Sequence, residues 1–148
     1  MRVIELDLAD DVVARAVHVV GRRAYRVEAD LIGFDGIPAL SESLADMRSR
    51  PLRWLGAVDD ATPVAFLAWS GPPVDVDRLC VDPGWFRRGL GTRLLGELLE
   101  RTTGAVTVST GADNSPAVAL YERAGFTRTG TVEPVPGLRV ATFALQRR

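Results

Sequence analysis

"RLCVDPGWFRRGLGTRLL", residues 78–95, is the stretch that decides the fold of this chain. It leads from an apolar strand into a helix whose first turn holds Gly89 and Gly91, directly after Arg87 and Arg88. Because a glycine in a helix costs about 1 kcal/mol relative to alanine, two of them here indicate that a ligand approaches the backbone closely. The first turn of a helix also has N–H groups without intrahelical acceptors and the positive end of the helix dipole. The stretch therefore predicts a site for phosphate or pyrophosphate, with close helix–sheet packing as the simpler alternative.

The composition excludes several other kinds of phosphate and catalytic site. All 18 basic residues are arginine, which rules out a phosphate loop ending in Gly-Lys-Ser/Thr and any catalytic lysine. A dinucleotide-binding fingerprint would need glycine where Leu94 stands. Since the chain has one cysteine, Cys80, and one histidine, His18, we expect no metal site and no Cys-His nucleophile pair.

Length and composition indicate one domain that covers residues 1–148. A chain of 148 residues, 47% hydrophobic and 25% charged, is able to bury a core of its own. The net charge of -1 predicts no general attraction to nucleic acid or to an anionic membrane. No apolar run approaches the roughly 18 residues that a membrane span needs, and the N-terminus has no signal-peptide pattern. We therefore expect a cytoplasmic protein.

Hydrophobic periodicity predicts the element order β-α-α-β-β-β-α-β-α-β-β, which is typical of a mixed α/β sheet. Residues 2–8 alternate as a half-buried strand does, and Asp10 and Asp11 are suited to capping the helix that follows. The strand-helix-strand segment over residues 74–110 is expected to form a right-handed parallel crossover.

Residues 25–44 are the hardest part of the chain to assign. The first helix is expected to break near Gly33, and Ser41 is predicted to cap a short second helix that runs to about Arg48. The loop between them is rich in large apolar residues, which weakly favours an acceptor with an apolar body if this region lines a substrate pocket.

Two stretches of the chain resemble the GCN5-related N-acetyltransferase (GNAT) superfamily. Residues 78–95 are similar to its acetyl-coenzyme A signature, in which a strand is followed by Val-x-Pro and a phosphate loop that opens a helix. "NSPAVALYERAGF", residues 114–126, is similar to a later family segment in which an asparagine precedes a helix that bears a tyrosine. The loop begins with Phe86 where the family usually has Gln or Arg, which puts one contact in doubt. The resemblance implies a GNAT fold, an α/β architecture whose mixed central sheet is splayed between strands 4 and 5 and flanked by helices.

The resemblance also implies an acetyl-CoA site and the residues that form it. The loop would hold the pyrophosphate through its backbone N–H groups. The strand before the loop would pair with the pantetheine arm and place one N–H near the thioester carbonyl, and an asparagine would bond the same arm while capping its helix. The cofactor-binding residues predicted in this way are Leu79, Cys80, Val81, Arg87, Arg88, Gly89, Leu90, Gly91, Thr92 and Asn114.

The same resemblance predicts the catalytic groups. Tyr121 would protonate the departing thiolate, because a phenol with a pKa of about 10 is protonated at neutral pH, and packing in an amphipathic helix is its alternative role. The family's base matches Asp75, with Asp77 on the same strand face, although both side chains are equally suited to facing solvent. Other candidates for the base lie in the early helix, namely His18, Tyr25 and Glu28.

We therefore predict an N-acetyltransferase that moves the acetyl group of acetyl-CoA to a primary amine by direct attack in a ternary complex. The predicted acceptor is a small-molecule or peptide amine. Two alternatives stay open at this point. One is a non-catalytic coenzyme A-binding module, and the other is an interaction protein that uses the apolar residues 29–40 to bind a partner or to build a homodimer.

Overall fold

The chain folds around one seven-stranded sheet, given by a computed structural model that describes all 148 residues. The strands are β1 (Arg2–Glu5), β2 (Arg53–Asp59), β3 (Thr62–Ser70), β4 (Val74–Val81), β5 (Val106–Gly111), β6 (Thr127–Val135) and β7 (Leu138–Leu145). They lie in the order β1-β2-β3-β4-β5-β7-β6, and every neighbouring pair is antiparallel except β4 and β5. The predicted element order and the predicted mixed sheet are confirmed.

Four α-helices connect the strands: α1 (Asp11–Ile32), α2 (Leu44–Ser49), α3 (Leu90–Arg101) and α4 (Ser115–Arg123). The carboxylate of Asp10 accepts from the N–H groups of Val12 and Val13 and so begins α1. Gly33 ends α1 in a left-handed conformation with φ 67°, which glycine adopts without a steric penalty. No helix combines the length and the apolar character that crossing a bilayer requires.

The cap predicted for α2 is wrong. The helix begins two residues later than expected, because Ser43 Oγ accepts from the N–H of Asp46 at 3.0 Å. Ser41 instead ends a short 3-10 turn over Pro38–Leu40, and its hydroxyl donates to the Pro38 carbonyl at 3.2 Å. Asp46 follows Ser43 by three positions, which is the capping-box spacing, whereas Leu44 stands at that distance from Ser41.

Helices cover both faces of the sheet. On one face, Leu94 and Leu98 of α3 and Tyr121 of α4 pack against the strands. On the other face, Val17 of α1 packs against Phe66 of β3, within a second core. The predicted flanking helices are therefore present, and each face of the sheet has a separate core.

Strands β4 and β5 pair only at one end. Val74–Val76 of β4 are in register with Val106–Val108 of β5, and the pairing stops there. At this point β4 has a β-bulge, since its register with β3 skips Asp77. A bulge bends its strand and increases the local twist, so the rest of β4 diverges from β5. The predicted splay between strands 4 and 5 is confirmed.

Two substitutions in α3 should change stability in opposite directions. Leu94 is fully buried, and replacing a leucine with alanine in such a position costs about 2–5 kcal/mol. A Cβ on Gly96 would meet no atom within 4 Å, and alanine is favoured over glycine in a helix by about 1 kcal/mol. We expect Leu94→Ala to lower, and Gly96→Ala to raise, the midpoint of urea denaturation. Indistinguishable midpoints would contradict the packing described for α3.

Candidate functional site

The loop before α3 carries a row of unbonded backbone N–H groups. Arg87 and Gly89 adopt positive φ angles of 65° and 73° there. None of the N–H groups from Arg87 to Thr92 donates to a backbone carbonyl, whereas Arg93 donates to the Gly89 carbonyl at 3.0 Å. Adjacent donors at a helix N-terminus, curved by left-handed residues, form a concave surface suited to an anion.

Glycine is favoured at positions 89 and 91 of this loop for different structural reasons. A Cβ on Gly89 would meet nothing within 4 Å, so its positive φ is what favours glycine. A Cβ on Gly91 would lie 3.3 Å from Leu120 Cδ2 and 3.9 Å from Leu79 Cδ2, so close packing of α3 also favours glycine there. Because neither position has a side chain, the N–H groups between them are open to a ligand.

The loop is locally positive although the chain is not. Arg87 and Arg88 are exposed and form no ion pair, and the Arg88 guanidinium lies 4.6 Å from the centre of the Trp85 ring. The nearest acid in sequence, Asp82, is engaged elsewhere, since it pairs with Arg23 at 3.0 Å and accepts from a backbone N–H. Two unpaired guanidinium groups beside free N–H donors are suited to phosphate.

Beyond the bulge, β4 presents an unpaired backbone edge. Leu79–Val81 pair with Ala65–Leu67 of β3, but the pairing of β4 with β5 ends at Val76. The free edge is able to pair with an extended ligand, as an added strand does. The side chain of Cys80 is buried, and burial raises the pKa of its thiol to about 12. A neutral, buried thiol packs in the core and is a poor nucleophile.

Helix α1 crosses the gap between β4 and β5 and supplies two polar side chains, Tyr25 and Glu28. The Tyr25 hydroxyl is buried near Cys80 and has no hydrogen-bond partner, and burial raises its pKa well above the ordinary value. Glu28 lies by the end of β5, with Oε1 3.5 Å from the position that a Cβ on Gly111 would take. Burial raises the pKa of Glu28, while the Asn114 amide and the Gly111 N–H oppose that change. One side chain therefore lies at each strand that borders the gap.

Tyr121 approaches the gap from α4. It is 4% exposed, and its ring lies edge-on to Phe126 with centroids 5.7 Å apart. Burial raises its pKa, and the proximity of Cys80 and Glu28 raises it further. The phenol is therefore protonated throughout the physiological range. Both roles foreseen for this residue, packing and contact with the gap, are compatible with its position.

Asn114 begins α4 and links it to α1. Its Oδ1 accepts from the N–H of Ala117 at 3.3 Å, which is the predicted cap. Because the carbonyl oxygen is used in this way, the amide NH₂ is the group that faces the Glu28 carboxylate. The contact of Asn114 with a cofactor stays a prediction.

The two aspartates of β4 lie at the paired end of the strand and at the bulge. Asp75 Oδ1 accepts from Thr107 Oγ1 of β5 at 2.6 Å, on an exposed surface. Asp77 Oδ2 accepts from Arg78 Nε at 2.7 Å. Both carboxylates therefore have partners within the protein, and neither is buried.

A buried ion pair that the sequence did not predict fastens the loop before α2 to β4. Arg78 Nη1 donates to Glu42 Oε1 at 2.7 Å, and the two side chains are 8% and 6% exposed. Arg50 donates to the other carboxylate oxygen, and His18 Nε2 donates to the Glu42 carbonyl at 2.8 Å. The Arg78 guanidinium also lies 5.8 Å from the centre of the Trp54 ring. No local signal distinguishes Glu42, because its partner is 36 positions away.

The candidate site is a strand gap and a surface loop, not a large open cavity. Two grooves, of about 540 and 340 Å³, lie beside α2 and along β1, and none of the predicted site residues lines them. The row of unbonded N–H groups lies instead at the start of α3.

Comparisons with known proteins agree with this geometry. Residues 22–126 match the profile of the acetyltransferase (GNAT) family. The chain is 34% identical over 137 residues to the UPF0157 protein YqkA of Bacillus subtilis, covering 90% of this chain but only 40% of that protein. It is 35% identical over 119 residues to the N-alpha-acetyltransferase RimI of Mycobacterium tuberculosis, covering 74% of this chain and 73% of that protein. The PaiA N-acetyltransferase of Thermoplasma acidophilum, solved with coenzyme A, has a similar fold, with a TM-score of 0.74, 14% identity, and 99% and 98% of the two chains covered.

Removing the charge of Glu42 should destabilise the fold by about 3 kcal/mol, because Arg78 would then lie buried without its anionic partner. Burial alone would raise the pKa of Glu42, but the hydrogen bonds from Arg78 and Arg50 outweigh it and hold the pKa below its usual range. The stabilisation is therefore complete above the unfolded-state pKa and is lost as pH falls through the folded-state value. We expect urea denaturation to show a smaller acid-side loss of stability in Glu42→Gln than in the parent protein.

The matched control for this substitution is Glu5→Gln. Glu5 and its partner Arg53 are 49% and 64% exposed, so the change should cost less than about 1 kcal/mol. Equal effects of the two substitutions would contradict the structural importance of the buried pair.

Proposed function

The chain belongs to the GNAT family of acetyltransferases, and from that premise we propose that it transfers the acetyl group of acetyl-CoA to a primary amine by direct attack in a ternary complex. We further propose that residues 1–148 act as one acetyltransferase domain. The observation that carries the proposal is the row of unbonded N–H groups from Arg87 to Thr92 beside the open end of the β4–β5 gap.

The free donors fit the two parts of the co-substrate. The N–H groups of Arg87, Arg88, Gly89, Leu90, Gly91 and Thr92, together with the two guanidinium groups, would hold the pyrophosphate. The unpaired edge of Leu79–Val81 would pair with the amides of the pantetheine arm, and Asn114, which begins α4, would bond the same arm. Acetyl-CoA supplies the activated thioester, and the protein supplies position and hydrogen bonds.

Three contributions of the protein would accelerate the transfer. A backbone N–H of the β4 edge would donate to the developing oxyanion, which is usually the largest electrostatic contribution in acyl transfer. Tyr121 would give its proton to the departing thiolate, since its phenol is protonated at neutral pH before the reaction. Holding both substrates in one gap supplies proximity and orientation. Asp75, the base predicted from the sequence, would have to reach the amine through a water molecule because its carboxylate bonds Thr107.

The transfer exchanges one C–S bond for one C–N bond and releases one proton. An ammonium acceptor loses one proton before attack, the C–N bond forms, and the C–S bond breaks. The nitrogen loses a second proton as the tetrahedral adduct collapses, and the sulfur gains one. The products are the acetylated amine, coenzyme A as a free thiol and one proton released to water.

The names of the relatives suggest where to search for the acceptor. RimI of Mycobacterium tuberculosis is named as an N-alpha-acetyltransferase, so its acceptor is an α-amine. We propose a peptide amine as the first class to test, with small-molecule amines as the second. An α-amine has a pKa of about 8 and a lysine side chain has one of about 10.4. At neutral pH the lysine amine is therefore protonated to a greater extent, and it depends more on a base that removes the proton.

Replacing both loop arginines should weaken acetyl-CoA binding without unfolding the protein. We expect micromolar binding by the parent protein, about -8 kcal/mol, and at least a roughly tenfold loss in Arg87→Ala/Arg88→Ala, measured by calorimetric titration. Arg2→Ala/Arg15→Ala removes the same charge from exposed positions elsewhere and should retain the parent affinity. No heat with folded parent protein, or an equal loss in the control, would refute the assignment of the loop.

Tyr121→Phe should lower kcat and leave acetyl-CoA affinity unchanged. The substitution keeps the aromatic packing against Phe126 and removes only the proton donor, so the expected loss is about 100-fold or more. Thiol release with a panel of primary amines and peptides measures the rate, and thermal denaturation checks the fold. An unchanged kcat would leave Tyr121 with a packing role only.

A further inference from the structure

Helix α1 places two side chains, one turn apart, on the two strands that border the gap. Tyr25 lies beside Cys80 of β4, past the last residue that pairs with β5. Glu28 lies at the end of β5. A Cβ placed on Gly111 there would lie 3.5 Å from Glu28 Oε1 and 3.0 Å from Ile32 Cγ2. The C-terminal half of α1 therefore forms a wall over the gap, opposite the α3 face that carries the anion-binding loop.

Glu28 is a carboxylate without a cationic partner in a largely desolvated position. It forms no ion pair, unlike Glu42 and Asp82, the two acids with the lowest exposure. Its polar neighbours, the Asn114 amide and the Gly111 N–H, are neutral and supply no opposite charge. Desolvation favours the protonated form of such a carboxyl group, and a base that acts on an ammonium ion has to accept a proton.

The hydroxyl of Tyr25 supplies a second, independent observation. It is the only buried side-chain polar atom in the structure without a hydrogen-bond partner. A buried hydroxyl without a strong partner costs about 1–3 kcal/mol. The polar neighbour of this hydroxyl is the Cys80 thiol, a weak hydrogen-bonding group, so an N–H of a bound amine would be a stronger partner.

We infer that Glu28 accepts the proton of the attacking amine while the Tyr25 hydroxyl oxygen accepts a second N–H from the same nitrogen. This inference rests on the proposed acetyl transfer and names the residues that would bind the acceptor. Glu28 takes one proton from the ammonium, leaving the lone pair that forms the C–N bond, and returns it to water. Asp75, by contrast, lies exposed in the paired part of the strands.

The other titratable groups around Glu28 stay in one state across the relevant pH range. Cys80 from β4 and Tyr121 from α4 both have raised pKa values and are neutral. Arg78 keeps its charge, because its hydrogen bonds to Glu42 and Asp77 outweigh burial and raise its pKa. Asp77 also lies at this edge but is paired with Arg78. Glu28 is therefore the carboxyl at the gap without a charged partner, and its titration would appear as an acidic limb in a pH profile.

The test compares Glu28→Gln, Asp75→Asn and the matched control Asp30→Asn, an exposed carboxylate on the same helix. The probe is a hexapeptide with a free N-terminal alanine, and kcat/KM is measured by thiol release from about pH 5 to about pH 9 at saturating acetyl-CoA. We expect Glu28→Gln to lower kcat/KM by about 100-fold or more and to abolish the acidic limb of the pH profile, whereas Asp30→Asn should behave as the parent protein does. Tyr25→Phe should raise the KM for the peptide and keep the limb. A limb that persists in Glu28→Gln, or that disappears in Asp75→Asn alone, would overturn the inference.

A second readout does not depend on turnover. In protein labelled with ¹³C at glutamate carboxyl carbons, the signal absent from Glu28→Gln identifies Glu28, and its titration midpoint should lie above the ordinary 4.5. A midpoint at or below that value would overturn the inference even if the enzyme is active. Failure of the proposed function is distinct, since the folded parent protein would then neither bind acetyl-CoA nor release thiol with any amine.

Discussion

Strands β4 and β5 pair over only three positions, Val74–Val76 with Val106–Val108, and the rest of the candidate site depends on this limit. Had the pairing continued, β5 would satisfy the backbone of Leu79–Val81 and leave no edge for a ligand. The bulge at Asp77 ends the pairing by bending β4 where the core on either face still holds both strands. One inserted residue therefore converts a continuous sheet into one with an opening at its centre.

The opening joins two chemically different surfaces. On the α3 side, free N–H groups and two unpaired arginines favour an anion, even though the chain has a net charge of -1. On the α1 side, a carboxylate and an unpaired phenol favour a hydrogen-bond donor that carries positive charge. In the proposed function, an anionic acyl donor and a cationic acceptor would therefore enter from opposite faces of one gap, which is the arrangement that direct transfer between them requires.

The buried pair of Glu42 and Arg78 connects the acceptor side to the strand that forms the gap. Removing two charges from water is costly. Here two further hydrogen bonds offset that cost, one that Arg50 donates to Glu42 and one that Arg78 donates to Asp77. Because Arg78 stands directly before Leu79, the pair also fixes the loop before α2 relative to the free edge of β4. Breaking the pair would therefore shift the free edge of β4 relative to this loop as well as destabilise the fold.

The amino-acid sequence by itself determined the element order, the family and the position of the glycine-arginine loop before α3, because each depends on local signals such as periodicity, caps and glycine spacing. It left the base open between Asp75 and Asp77 of β4 and three residues of α1, misplaced the cap of α2 and gave no sign of the Glu42–Arg78 pair. Only the tertiary structure decided which residues of α1 meet the gap. That choice depends on how a 22-residue helix lies across two strands far from it in sequence, and contacts at such separations have no local signature.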